Sequence, residues 1–128
     1  MSEPKGILWF VLDEASVRRL REVAPPKYPN EFYHHVTLQY DVERVAVANW
    51  IGQAAQVEAY AVGSNSDAQA CRVHTPGLPD MYGVPHVTLS TNDGIQPYAS
   101  VAMLQREHDE MPLATPLKLT GTIEFELL

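Results

Sequence analysis

The four-residue word His-Val-Thr-Leu occurs twice in this chain, at His35–Leu38 and His86–Leu89, with its histidines 51 positions apart. Each copy alternates polar and apolar residues, the period of a β-strand with one buried face. In that conformation Val36, Leu38, Val87 and Leu89 point into a core. His35 and Thr37 share the other face, as do His86 and Thr88, about 6.6 Å apart along each strand. A fold for this chain must bury one side of both strands and leave two His-x-Thr pairs on the other. Laid side by side, the strands would line one cleft with two imidazoles and two hydroxyls.

Such a cleft suits a single phosphate. Hydroxyls donate to its non-bridging oxygens. A neutral imidazole takes a proton from a nucleophile, and an imidazolium gives one to a leaving oxygen. Histidine serves in both roles because its ordinary pKa is near 6.5. Thr also favours strands, so a His-x-Thr face alone would suit a solvated sheet. Two identical copies, behind the Pro/Gly-rich loops 25–31 and 76–83, favour the chemical reading. The 25–31 loop is positioned to close over a substrate. A metal would need a third ligand. His74 is available, but no ligand spacing accompanies it, so neither metal nor cofactor is expected. No nucleophile-elbow motif supports a serine triad.

Residues 6–12 read as a buried strand, followed by an Asp13 cap and a helix over 15–23 that Pro25 and Pro26 end. Residues 34–40 read as a strand, and 56–62 and 68–74 as a hairpin around Ser64–Asp67. A strand over 84–91, a helix over 98–106 begun by Pro97, and a closing strand over 117–128 complete the chain. Gly121 is expected to mark a bulge in that last strand. The order β-α-β-β-β-β-α-β describes one α+β domain spanning residues 1–128, with mostly antiparallel pairing.

The 9 Lys and Arg against 16 Asp and Glu give a net charge of −7. That balance excludes a binder of duplex DNA or of an anionic membrane surface, and leaves room for a small anion held locally. The one cysteine, Cys71, allows no intrachain disulfide and fits a reducing cytoplasm. It reads as structural. The apolar run Ile7–Leu12 is too short for a signal or a membrane span.

Two His-x-Thr-hydrophobic motifs in a small α+β chain are similar to the signature of the two-histidine (2H) phosphoesterase superfamily, from about Gly6 onward. The second half resembles the cyclic phosphodiesterase module of plant-type tRNA ligases. There the matching residues are His86–Thr91, then Gly94–Ser100 with its Gly-x-x-Pro, then Leu119–Phe125. The resemblance implies a bilobal fold: two antiparallel sheets related by a pseudo-twofold axis around a central cleft, with helices outside. It implies a metal-independent phosphodiesterase that hydrolyses a cyclic phosphate, either a 2′,3′-cyclic nucleotide or an RNA end. His35 and His86 would be its general base and acid, in an order the sequence leaves open, and Thr37 and Thr88 would hold the phosphate. The alternatives are cleavage of 2′–5′ or cyclic oligonucleotide messengers, as in immune antagonists, and a catalytically silent nucleotide-binding module. The expected partner is a nucleotide or short oligonucleotide, and a cytoplasmic monomer is expected.

Among secondary residues, Tyr82 is the best placed base-stacking platform, with Tyr33 and His74 as further candidates for the cleft rim. Tyr40 reads as packing, and Trp9 and Trp50 as core. His34 is expected on the face opposite His35, and His108 at the surface. Arg72 pairs with phosphate or, more simply, with Glu58. Ser100 contacts phosphate or caps a helix.

Overall fold

The computed structural model describes residues 4–128. The elements, in order, are β1 (Lys5–Leu12), α1 (Glu14–Val23), the two-residue β2 (Asn30–Glu31), β3 (His35–Glu43), a 3-10 turn (Arg44–Val47), β4 (Ala54–Ser64), β5 (Ala68–His74), β6 (His86–Thr91), α2 (Ala99–Gln105) and β7 (Asp109–Leu127). Asp13 caps α1 by accepting the Ser16 N–H at 2.8 Å, and hydrogen bonds from Thr120 and Ser16 hold its carboxyl below the usual range. Asn65 shapes the β4–β5 turn by accepting the Asp67 and Ala68 N–H groups, both at 2.9 Å. Such side-chain acceptors are why Asp and Asn mark caps and turns.

The pairing is antiparallel throughout, in the order β2-β6-β3-β1-β7-β4-β5, and β5 also pairs with β6. The expected α+β class with antiparallel strands and two helices is present. The expected two separate sheets are not: β6-β3-β1-β7-β4-β5 close into one six-stranded barrel. Closure gives β6 hydrogen-bonding neighbours on both sides, with Cys71 opposite Val87 on one and Val36 opposite Val87 on the other. A strand so placed has no open edge.

Inward-facing residues fill the barrel. Leu8, Phe10, Val36, Leu38, Val87 and Leu89 are all fully buried in one cluster. The outward-facing residues of β1, β3 and β6 line a depression on the wall. Outside, Met103 and Leu104 of α2 pack on Ala70 of β5 in a small second core, which fixes the 97–98 segment beside that depression.

Gly121 is not a bulge. It pairs in unbroken register with Leu12 on one side and Ala55 on the other. It is glycine because the neighbouring strand passes too close for a side chain: a Cβ there would collide with the Val11 carbonyl oxygen. The irregularity in β7 lies earlier. Leu117 pairs with Ala59 and Pro112 with Ala61, so residues 113–116 loop out opposite Tyr60. Proline lacks the N–H a ladder needs, and Pro116 sits in that excursion.

The close approach at Gly121 carries a prediction. Gly121→Val should destabilise the protein by about 2–3 kcal/mol through overpacking against backbone that cannot yield. A urea midpoint unchanged from the parent would refute it.

Candidate active site

The two words meet on the barrel wall through a register change. Asn30 and Glu31 pair with Thr91 and Ser90, and the Phe32 and Tyr33 N–H groups donate to the Leu89 and Thr88 carbonyls at 2.9 and 3.1 Å. Three residues later, Val36 stands opposite Val87. Between these points His34 and His35 have no counterparts on β6. The backbone accommodates this surplus at Tyr33, whose φ is +49°, in the left-handed region that few residues with a Cβ enter. Bulges of this kind re-aim side chains. Here the result is that His34 does not lie on the face opposite His35, as strict alternation would have it. The two rings stand together, Nδ1 to Nδ1 at 3.0 Å.

β6 holds the second word more regularly. The His86 Nδ1–H donates to the Val84 carbonyl at 2.6 Å. His86 is 8% exposed. The Thr88 hydroxyl lies 3.0 Å from the Ser100 hydroxyl and 3.3 Å from the Pro97 carbonyl, which ties the second motif to the start of α2. Ser100 is thus a buried partner of Thr88, in a helix whose N-cap position belongs to Tyr98. In both histidines Nδ1 is occupied within the protein, which leaves Nε2 for a ligand.

A cavity of about 200 Å³ brings His35, Thr37, His86 and Thr88 together. Its other walls are Ile7 and Trp9 from β1, Tyr40 from β3, Tyr82 from the preceding loop, and Pro97, Tyr98 and Val101 around α2. Trp9 is therefore not core. Its ring lies 4.2 Å from that of His35. The Leu8/Phe10 alternation in β1 already implied that Trp9 and Ile7 turn outward. Tyr40, 54% exposed, faces Tyr82 at 6.0 Å between ring centroids, so it joins the cleft rather than packing away from it.

Two expected rim residues lie elsewhere. Tyr33 is 1% exposed. Its hydroxyl donates to the Ala24 carbonyl at 2.6 Å, and the Arg21 guanidinium covers its ring. The same positive φ that turns His34 toward the cleft turns Tyr33 inward. His74 stacks on Tyr60 at 4.1 Å and lines neither wall of the cleft. Arg72 pairs with Glu110 rather than Glu58, and donates to the Leu104 carbonyl at 3.0 Å. His108 also reaches Glu110, at 3.2 Å, and its side chain is largely covered. The 25–31 loop is stitched down: Lys27 and Tyr28 N–H groups donate to the Ser90 hydroxyl, and Gln69 to the Pro25 carbonyl. These bonds pin it to β5 and β6, and none of its residues lines the cleft cavity.

The electrostatics follow from burial. His35 is pushed down to about 4, first by loss of solvation, then by neighbouring His34 and His86. His86 is also lowered, chiefly by burial, with Arg72 adding to the effect and the Val84 carbonyl opposing it. Burial alone pushes the Cys71 thiol up to about 12, which keeps it inert. No Lys, Arg, Asp or Glu lines the cavity. An entering anion would raise both imidazoles again, since opposite charge favours the protonated form. Among the described residues no group of three or more His, Cys, Asp or Glu is placed to hold a metal ion, and no helix is long and apolar enough to cross a membrane.

Compared with protein-family models and with curated proteins, the chain matches none.

The depressed His35 value makes stability depend on pH with a definite sign. The unfolded chain binds a proton here near 6.5, the folded one only near 4. Stability therefore rises with pH between about 4 and 6.5 and levels off above. At 1.36 kcal/mol per pH unit this one group is worth about 3 kcal/mol across that window. Urea unfolding near pH 4.5 and near pH 7 should show His35→Gln losing about 2 kcal/mol less than the parent on acidification. Equal losses would refute the assignment.

Proposed function

We propose that this cleft is the active site of a metal-independent phosphodiesterase of the 2H kind, which opens a cyclic phosphate at a 2′,3′-cyclic nucleotide or RNA end. One observation carries the reading: His35, Thr37, His86 and Thr88, from two words 51 positions apart, line a single cavity. The antiparallel Val36–Val87 pair places like residues of the two words opposite each other. We read it as the point where a pseudo-twofold relation between the two halves passes through the barrel wall.

In this mechanism Thr37 and Thr88 orient the non-bridging oxygens. One imidazole removes a proton from water as it attacks phosphorus. The other, protonated, gives its proton to the departing ribose oxygen. The occupied Nδ1 atoms fix which nitrogen of each ring does this work. The uncharged walls suit a substrate with a single negative charge. The substrate is accordingly a nucleotide or short oligonucleotide rather than a long or duplex nucleic acid, met by a cytoplasmic monomer.

Turnover of a 2′,3′-cyclic mononucleotide in excess EDTA tests the proposal. Activity should persist in EDTA and fall by about 10²–10⁴-fold in His35→Gln and in His86→Gln. Activity abolished by the chelator, or retained in both variants, would sink it. The profile of kcat/KM against pH reports the free enzyme. With His35 near 4 and His86 below 6.5, it should peak between about pH 4 and 6.5 and decline above. A plateau extending past pH 8 would contradict the two-imidazole scheme.

A further inference from the structure

His34 and His35 meet through the same atom of each ring, Nδ1 to Nδ1 at 3.0 Å. The rings stand edge to face, with 5.2 Å between centroids. Two neutral imidazoles joined in this way share one hydrogen, so one Nδ1 donates and the other accepts. A neutral ring carries a single N–H, and the direction of this bond therefore also decides the far nitrogen of each ring. His34 is exposed and His35 half-buried. With His35 donating, its bare Nε2 is left to the cavity, and the remaining N–H belongs to the exposed ring, where water serves it. With His34 donating, His35 would carry an N–H into the cavity instead. An enclosed N–H without a partner is the rarer and costlier arrangement, so His35 is the donor.

We propose that His34 is a proton-operated lock on the tautomer of His35: neutral, it accepts the His35 Nδ1–H and keeps Nε2 bare; protonated, it donates and moves the hydrogen of His35 to Nε2. Trp9 faces the pair from β1, His86 and Thr88 from β6, and Pro97 from the segment before α2. The phenols of Tyr40, Tyr82 and Tyr98 complete the neighbouring wall, and no Lys, Arg, Asp or Glu lines either of the two adjoining cavities that His35 borders. No fixed charge on these walls holds the bond in one direction, which leaves the proton on His34 to set it.

Acid reverses the bond. The pair takes its next proton with the charge on the exposed ring, because burial penalises charge on His35. The hydrogen between the rings passes from His35 Nδ1 to His34 Nδ1, and a proton from water enters at His35 Nε2. His34 is then an imidazolium, which can only donate. His35 remains neutral, with its one hydrogen on the other nitrogen. The pair has gained one proton, and nothing but water is needed to supply it. Resting on the phosphodiesterase reading above, the lock means that acid silences His35 Nε2 as a proton acceptor without giving His35 a charge.

Nitrogen-15 NMR of the imidazole rings tests this on the whole chain, because protonated and bare ring nitrogens resonate apart. At about pH 7 His35 should show a protonated Nδ1 and a bare Nε2, and titration down to about pH 5 should exchange the two. His34→Phe keeps a ring against Trp9 and removes the partner nitrogen, so in it acidification should produce no exchange before His35 itself charges near 4. His86, whose Nδ1–H is held by the Val84 carbonyl, should keep its pattern in both proteins and so reports an intact cleft. A parent His35 that shows no exchange over this range, or the same exchange in His34→Phe, overturns the lock. If the variant loses the His86 pattern, the parent titration decides alone. Exchange without turnover of a cyclic mononucleotide defeats the phosphodiesterase reading and leaves the lock standing. Turnover with a fixed His35 tautomer defeats the lock alone.

Discussion

Val36 faces Val87 where β3 meets β6, and both side chains are fully buried in the barrel. This contact closes the barrel wall on one side of β6 as β5 does on the other. It does so with the middle of each repeated word, so the residues flanking the valines are delivered to the outer surface together. Hydrophobic burial on the inner face thereby sets the position of the polar outer face. The period of two along a strand leaves no other choice once the valines are inside.

The outer face is built from neutral groups. Trp9 covers one imidazole, and β5 and the Val84 carbonyl enclose the other. Each ring is held by one nitrogen, and burial discourages both from carrying charge. The chain as a whole is acidic, so an unshielded anion would meet repulsion at long range. In the proposed reaction a desolvated pair of imidazoles would answer this locally, because electrostatic interactions strengthen where water is excluded.

Most of the strand and helix order was legible in residues 6–128, because alternation in 35–38, 56–62 and 86–89 and the cap at Asp13 are local signals, although α2 starts at Ala99 behind an N-cap at Tyr98 rather than at Pro97. For the same reason His35 with Thr37, and His86 with Thr88, could be placed on one strand face each; that the two faces share a cleft was an expectation from the repeat and rests on the β3–β6 pairing. Closure of the barrel was not, since pairing between β5 and β6 depends on which distant edges meet. The roles of Trp9, Tyr40 and His34 were also missed. Trp9 could have been found from its alternation with Leu8 and Phe10. His34 and Tyr33 could not, because a left-handed residue at Tyr33 inverts the expected faces without any glycine to announce it. Gly121 misled for a related reason: glycine marks close backbone approach as well as bulges, and the sequence does not distinguish them.

The surplus pair of residues between Tyr33 and Val36 makes chain length in this segment the quantity that sets which face of β3 each side chain takes. A substitution there leaves the backbone path intact where it keeps the buried Tyr33 and Val36. Removing or adding a single position cannot be absorbed in the same way. It would turn over every side chain of β3, sending His35 and Thr37 inward and Val36 and Leu38 out to solvent. The loop before β6 has no such counting rule, since Gly77 and Gly83 already adopt turn conformations there. Natural variation in length is therefore expected around residues 76–84, where it would reshape one wall of the cleft, and not within residues 32–36, where it would dismantle the cleft altogether.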